Sequence, residues 1–229
     1  MTHRVETLKH LESVVPENRP LAVDHANHLA EYVELLLTWN RSINLTGAKD
    51  AAEIVELHLP DAFAVARLSL PGTQLVDIGA GGGLPGLPVA ILRPDLQVTL
   101  VEPRAKRTAF LREAIRKLGL AATVREARSE DLEERAWDVA LSRATFPPET
   151  WLPQGQRLVR RGGQILVFTR ADSPWTPPGR PPPRTPPGRS PPRTPPGRPP
   201  PQSLEGVAKS ITYQAKDRER RLWQIDCST

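Results

Sequence analysis

The sequence predicts an α/β domain that is built on a mostly parallel sheet and carries a helical cap at its N-terminal end. Two observations lead to this fold class. Apolar residues such as Leu29, Val33 and Leu36 recur at helical spacing in the first seventy residues. From Gln74 onward, short apolar runs alternate with helical stretches, and this pattern predicts parallel strands that helices cover on both faces.

Five short apolar runs predict the strands of the parallel part of the sheet. They occupy residues 74–78, 97–102, 122–126, 137–142 and 164–169. The clearest helix between them covers residues 106–118, and Gly119 is expected to end it. Residues 207–213 and 221–225 are expected to form a closing pair of strands.

The bulk properties limit the classes of protein that the chain can belong to. Its 229 residues suffice for one α/β domain with an appendage. The single cysteine, Cys227, provides neither a disulfide framework nor a cysteine-based zinc site. The sequence has no secretory signal and no apolar run near the roughly 20 residues of a membrane span. We therefore expect a cytoplasmic protein without a membrane partner.

Residues 174–201 differ in composition from the rest of the chain. The sequence Thr-Pro-Pro-Gly-Arg begins at Thr176, Thr185 and Thr194, and the segment holds 15 of the 26 prolines. We expect it to be an extended, solvated and disordered insertion outside the core. Its Pro-x-x-Pro pattern would suit a groove of the SH3 type, but expansion of a tolerant surface loop is favoured, and its partner is unknown.

This segment also accounts for the net positive charge. It contains five of the 31 lysines and arginines and no acidic residue, so 26 basic and 26 acidic residues remain elsewhere. Any nucleic-acid-binding surface must therefore be a local patch.

The expected organisation is a helical cap over residues 1–70, a catalytic domain over 71–173 and 202–229, and the insertion over 174–201.

A glycine-rich turn after the first strand is the clearest candidate for a ligand site. It follows Asp77 and leads into a helix that Pro85 opens. Glycines allow the backbone to turn tightly and to approach a ligand closely. The spacing Gly81-x-Gly83-x-x-Gly86 matches a dinucleotide fingerprint, so the turn alone fits either NAD or S-adenosylmethionine.

Two carboxylates favour S-adenosylmethionine over NAD. Asp77 precedes the glycines, where it could face an ammonium group but would repel a pyrophosphate. Glu102 follows Gly81 by 21 positions, a spacing at which an acidic residue accepts hydrogen bonds from ribose hydroxyls. The alternative for Glu102 is an exposed charge at a strand end. Ser129 and Glu130 follow the third strand, where an adenine ring would lie.

Other polar residues have both structural and functional interpretations. Arg143 follows an apolar strand, at the edge where α/β sheets bind ligands. His58 and Asp61 are three apart, which favours a hydrogen-bonded pair on one helix face over a metal site. We expect Trp39, Asn40 and Asn44 to serve in packing and turn capping rather than in contact with RNA. The basic side of the 106–118 helix fits a solvated face as well as an RNA contact.

Several short segments together resemble the glucose-inhibited division protein B family, the guanine-N7 methyltransferases of 16S (small-subunit) ribosomal RNA. The resemblance runs from about Tyr32 to Ile225, interrupted by the insertion. The segments that carry it are Trp39-Asn40, Asn44-Leu45-Thr46, His58-Leu-Pro-Asp61, Asp77 to Pro88, Thr99-Leu-Val-Glu102, Lys106-Arg107, Phe110-Leu111, Ser142-Arg143-Ala144 and Gly162-Gly163.

The resemblance implies a Rossmann-like class I methyltransferase with a mostly parallel seven-stranded sheet and S-adenosylmethionine as cofactor. It implies that Arg143 is the catalytic residue and also lies by the cofactor. Lys106 and Arg107 would contact small-subunit ribosomal RNA, presented within the ribosomal particle. The cofactor-binding residues that it implies are Asp77, Gly79, Gly81, Gly83, Leu84, Glu102, Ser129 and Glu130.

The chain departs from the family pattern on the substrate side. Thr169-Arg170 stands where the family commonly has Lys-Gly, Ala62 stands where it has Ser, and the proline repeats replace a helix. Methylation of another RNA, an NAD-linked oxidoreductase and a non-catalytic RNA-binding protein remain as alternatives. The sequence lacks the Asn-Pro-Pro-Tyr type of motif of exocyclic-amine methyltransferases, which favours direct transfer to N7 with Arg143 orienting the base.

Overall fold

A computed structural model describes residues 2–15, 20–68, 70, 74–178 and 208–227. The helices within these residues are α1 (Thr2–Val14), α2 (Val23–Asn40), α3 (Ala51–Leu57), α4 (Leu59–Ala66), α5 (Gly86–Leu92), α6 (Ala105–Leu118) and α7 (Pro148–Leu158). The strands are β1 (Gln74–Ile78), β2 (Gln97–Val101), β3 (Ala122–Arg125), β4 (Trp137–Ser142), β5 (Val159–Arg170), β6 (Ala208–Ala215) and β7 (Arg218–Asp226).

The strands form one seven-stranded sheet in the order β3-β2-β1-β4-β5-β7-β6. Neighbours from β3 to β5 are parallel, whereas β7 runs antiparallel to β5 and to β6. The prediction of a mostly parallel seven-stranded sheet is confirmed. Strand order reverses between β1 and β4, and the carboxyl ends of these two strands border the crevice where open α/β sheets bind ligands.

The predicted bounds of β1 to β4 agree with the structure to within one residue, whereas β6 ends two residues later and β7 begins three residues earlier than predicted. β1 and β4 have the predicted bounds, and the closing pair is a hairpin of β6 and β7. β5 begins at Val159, five residues before its predicted start at Gln164. The intervening residues include two glycines and two arginines and therefore resemble a turn, but Val159 pairs with Trp137 of β4 before a register shift, and pairing resumes at Gln164. Gly119 ends α6 in the left-handed conformation, as predicted.

The helical cap and the sheet share one hydrophobic core. Leu29 and Leu36 of α2 belong to the same buried cluster as Leu75 of β1, Leu100 of β2 and Phe110 of α6. On the other face, a second cluster packs α7 against β4, β5 and β7. Burial on both faces explains why the parallel strands have continuous apolar runs.

We expected residues 174–201 to lie outside the core, and this expectation is wrong for Trp175. Trp175 packs edge to face against Trp223 of β7, with ring centroids 6.1 Å apart, and joins the second cluster. An indole ring has a large apolar area that is stabilised by burial, whatever the composition of its neighbours. The rest of the insertion, residues 179–201, lies outside the described residues.

The described helices include none that combines the length and the apolar character required to cross a membrane.

We expect the substitution Leu36→Ala to lower the free energy of unfolding by about 2–5 kcal/mol, because it leaves a cavity between α2 and the sheet. The control Val23→Ala, at a position of the same helix that is 76% exposed, should change it by less than about 0.5 kcal/mol. Chemical denaturation followed by circular dichroism checks this. A shared core predicts a single transition shifted as a whole, and a separate early transition of the helices would contradict it.

Candidate functional site

A compact backbone turn joins β1 to α5 at the carboxyl edge of the sheet. The amides of Gly79 and Ala80 both donate to the carbonyl of Val101, at 2.8 and 3.0 Å, which ties the turn to the end of β2. Gly79, Gly81 and Gly83 have φ of 73°, 57° and 82°. These left-handed conformations strain residues with side chains, so the predicted glycine positions follow from the shape of the turn.

The Asp77 carboxylate lies directly beneath this turn. Its Oδ2 accepts a hydrogen bond from the amide of Gly86 at 3.0 Å, at the beginning of α5. Only glycine fits at that position, since a Cβ there would lie 2.6 Å from the same carboxylate oxygen. Leu84, one of the cofactor-binding residues that the resemblance implies, lies in the turn and is buried.

The burial of Asp77 changes its titration. Only 1% of the residue is exposed, and this desolvation raises the pKa of its carboxyl to about 7. The hydrogen bond from Gly86 and the charge of Arg143 act in the opposite direction but do not compensate. A carboxyl group with this pKa would be ionised fully by a cation bound next to it.

Glu102 lies beside the same turn, one residue beyond the end of β2. Its two carboxylate oxygens accept hydrogen bonds from the amides of Gly81 at 3.0 Å and Arg104 at 3.1 Å. The residue is 3% exposed, so its interpretation as a solvent-exposed strand-end charge is wrong. Asp77 and Leu100 are register partners across β1 and β2, which explains why the two carboxylates lie at one edge of the sheet.

Ser129 and Glu130 form a single turn of 3₁₀ helix after β3. Ser129 is buried, and its hydroxyl lies 3.1 Å from Oε1 of Gln154 in α7, whereas Glu130 is exposed. Arg157 holds this turn by donating to the carbonyls of Ser129 and Leu132. Gln154 and Arg157 could not be identified from the sequence, because α7 lies some 25 residues further along and has no local pattern that points to the turn.

Arg143 follows β4 directly, at the carboxyl edge where it was predicted. It forms an ion pair with Asp61 through Nε, and its Nη2 lies 2.7 Å from Nδ1 of His58. The prediction that His58 and Asp61 are hydrogen-bonded to each other is wrong. His58 lies at the junction of α3 and α4, so its ring and the Asp61 side chain meet at Arg143.

His58 is held on both sides of its ring. Its Nε2 lies 3.2 Å from the hydroxyl of Thr46, while Arg143 occupies Nδ1. Burial and the Arg143 charge lower the pKa of His58 to about 4. The ring is therefore neutral at physiological pH and can accept the hydrogen bond from Arg143.

Asp61 receives two further donors that could not be identified from the sequence. Nη1 of Arg220 lies 2.6 Å from Oδ2, and the hydroxyl of Tyr213 donates to Oδ1 at 2.6 Å. Both residues are on the β6–β7 hairpin, more than 150 residues from Asp61. No sequence pattern relates positions so far apart.

Lys106 and Arg107 lie in the first turn of α6. Arg107 is partly engaged, because Nη2 donates to the carbonyl of Asn44 at 3.1 Å and Nη1 lies 3.7 Å from Glu102. Lys106 is exposed. Both residues line an open cavity of about 430 Å³, together with Arg104 and the loop at residues 42–44.

Trp39 and Asn40 have the roles predicted for them, packing and turn capping, at the loop that follows α2. The Asn40 side chain accepts hydrogen bonds from the amides of Leu45 and Thr46, at 2.8 and 3.0 Å, and donates to the Thr46 carbonyl. Trp39 packs edge to face on Phe110, with centroids 5.7 Å apart.

The described residues contain no group of three or more His, Cys, Asp or Glu side chains that could hold a metal ion.

The groups at this edge fit S-adenosylmethionine better than a dinucleotide. A buried carboxylate lies under the turn, where a pyrophosphate would be repelled and an ammonium attracted, and a second carboxylate ends the neighbouring strand. The sheet order and this arrangement define a class I methyltransferase that uses S-adenosylmethionine.

Solved structures support the same fold. A putative O-methyltransferase from Klebsiella pneumoniae is similar with a TM-score of 0.56 at 15% identity, over 100% of this chain and 98% of that chain. A SAM-dependent methyltransferase from Aquifex aeolicus is similar with a TM-score of 0.50 at 13% identity, over 76% of this chain and 92% of that chain.

Sequence comparisons identify the family. The GidB family model, described as rRNA small subunit methyltransferase G, matches residues 25–173. A relative of that name from Xanthomonas campestris pv. campestris (strain B100) is 44% identical over 150 residues, 65% of this chain and 70% of the relative. Another from Halorhodospira halophila is 38% identical over 162 residues, 70% of this chain and 77% of the relative. The chain belongs to the rRNA small subunit methyltransferase G family.

We expect Asp77→Asn to make the ligand-free protein more stable than the wild type, by an amount that increases as the pH rises. In the unfolded chain Asp77 ionises near pH 4, but in the folded protein it ionises only near pH 7, so stability is lost between these values. Asparagine keeps an acceptor for the Gly86 amide and carries no charge. The difference in free energy of unfolding should grow to about 2–4 kcal/mol at pH 8.

Urea denaturation of both proteins between pH 4 and pH 8 measures this difference. A difference that does not change with pH would show that Asp77 titrates normally in the folded protein.

Proposed function

We propose that the protein transfers a methyl group from S-adenosylmethionine to N7 of a guanine in small-subunit ribosomal RNA. The observation that carries this proposal is Arg143, which Asp61 and His58 hold at the carboxyl end of β4, next to the strand that bears Asp77. The relatives are named as methyltransferases of small-subunit ribosomal RNA, which supports an RNA substrate.

We assign the cofactor to the edge formed by β1 and β2. The Asp77 carboxylate would bind the ammonium group, and Glu102 would accept hydrogen bonds from the ribose hydroxyls. When bound, the cofactor supplies an electrophilic methyl group on its sulfonium. The turn residues Gly79, Gly81, Gly83 and Leu84 would contact it through their backbone. Ser129 and Glu130 would flank the adenine, with Arg157 fixing their turn.

The ionisable groups near Arg143 favour N7 as the methylated atom. N7 of guanine carries a lone pair and no proton, so transfer requires alignment rather than a general base. His58 has both ring nitrogens engaged and a lowered pKa, and both oxygens of Asp61 are occupied. Neither group is available to remove a proton, as methylation of an exocyclic amine would require.

Arg143 has one donor group left for the substrate. Its Nε faces Asp61 and its Nη2 faces His58, and among the described residues Nη1 has no hydrogen-bond partner. A bond from Nη1 to N7 itself would block the nucleophile. We therefore assign its contact to O6 of the guanine or to a backbone phosphate, so that N7 stays free and is aligned with the methyl group.

The RNA would also contact the first turn of α6. Arg104, Lys106 and Arg107 line the open cavity there, and their charges suit phosphate groups. Because Glu102 partly engages Arg107, we assign the stronger phosphate contact to Lys106. We further propose that the RNA is presented within the ribosomal particle. In the alternative, the same reaction would take place on an RNA other than small-subunit ribosomal RNA.

Mapping of N7-methylguanine in ribosomal RNA tests this function. In cells without the gene, we expect one N7-methylguanine of the small-subunit RNA to be lost, and the wild-type gene to restore it. The variant Arg143→Ala should not restore it, because it removes the donor that orients the base. The control Arg160→Ala, which breaks an ion pair with Asp138 near the opposite end of β4, should restore it.

A map that does not change on loss of the gene would reject the substrate. Restoration by Arg143→Ala at wild-type level would reject the role of Arg143.

A further inference from the structure

The Asp61 carboxylate collects donors from three separate parts of the chain. Arg143 comes from the end of β4, while Tyr213 and Arg220 come from β6 and β7. The Asp61 side chain is only 1% exposed, so this carboxylate depends on these donors for its stability. The cluster connects the C-terminal hairpin to the arginine that faces the substrate.

The hairpin reaches Asp61 with two side chains because of its register. Tyr213 and Arg220 are direct partners across β6 and β7, so their side chains lie side by side on one face of the sheet. Arg220 bonds to Oδ2, the oxygen that Arg143 also contacts, while Tyr213 bonds to Oδ1. Each oxygen of the carboxylate is therefore held by the hairpin.

These contacts fix the orientation of the carboxylate. The terminal torsion of an aspartate is broad, so a single partner leaves the carboxylate plane free to rotate. Donors on both oxygens define that plane, and the plane determines where Nε of Arg143 binds. Burial and Asp61 raise the pKa of Tyr213, so its hydroxyl remains a donor at physiological pH.

We infer that Arg220 and Tyr213 are positioning residues, which orient Arg143 toward the substrate by fixing the Asp61 carboxylate. This inference rests on the proposed role of Arg143. Both residues lie beyond residues 25–173, the part of the chain that the family model matches. The hairpin thereby has a function in the reaction in addition to completing the sheet.

A double-mutant cycle tests the coupling between Arg220 and Arg143. We expect Arg220→Gln to lower kcat for methylation of small-subunit RNA by about tenfold, with little change in the affinity for S-adenosylhomocysteine. In the Arg143→Ala background, the same substitution should cause no further loss, because Arg220 acts only through Arg143. Equal losses in both backgrounds would show that Arg220 acts independently and would overturn the inference.

Matched variants separate positioning from general destabilisation. Arg218→Gln removes an exposed arginine from the same strand and should leave kcat unchanged. Arg220→Lys keeps a donor and should recover part of the lost turnover, and Tyr213→Phe should lower kcat less than Arg220→Gln does. A lower kcat in Arg218→Gln, or no recovery in Arg220→Lys, would contradict the inference.

A measurement without RNA separates this inference from the proposed function. We expect the Nε proton of Arg143, observed by NMR, to exchange faster with water in Arg220→Gln than in the wild type and in Arg218→Gln. Unchanged exchange would overturn the inference whether or not the RNA is methylated. Failure of the wild-type protein to methylate small-subunit RNA, with exchange as expected, would reject the substrate alone.

Discussion

The hydrogen bond between the Gly86 amide and the buried Asp77 carboxylate is the interaction on which the site depends. It joins the end of β1 to the beginning of α5 and lies beneath the glycine turn that separates them. Burial leaves this carboxyl group poorly solvated, with its pKa raised to about 7. The protein tolerates this cost at a position where a bound ammonium group would relieve it.

The two sides of the crevice have opposite electrostatic character. Glu102, together with Asp77 when it is ionised, makes the side formed by β1 and β2 anionic, which suits a cationic sulfonium amino acid. Arg143 and Arg220 share the Asp61 carboxylate on the other side, so this cluster carries a net positive charge when His58 and Tyr213 are neutral. An RNA substrate suits the second side, and we propose that methyl transfer takes place between the two.

Local patterns in the sequence were sufficient to predict which residues meet at the sheet edge that we assign to the cofactor. Apolar runs define β1 and β4, and the carboxyl ends of parallel strands meet at one edge, so Asp77, Glu102 and Arg143 could be assigned to that edge. The side that we assign to the substrate depends on contacts that no local pattern encodes. Arg220 lies 159 residues from Asp61, and its role follows only from the pairing of the last two strands. Trp175 was missed for a related reason, since its partner Trp223 lies on the same hairpin.

The pH dependence of cofactor affinity tests the central claim, that Asp77 binds the ammonium group of the cofactor, most directly. Calorimetry with S-adenosylhomocysteine between pH 5.5 and pH 7.5 would compare the wild type with Asp77→Asn. If only the ionised carboxylate binds the ammonium, wild-type affinity rises by up to about tenfold per pH unit below pH 7 and levels off above it. At pH 7.5 the variant should bind at least about tenfold more weakly than the wild type, and its affinity should not rise with pH. Equal affinities at pH 7.5, or parallel pH curves for the two proteins, would contradict the account.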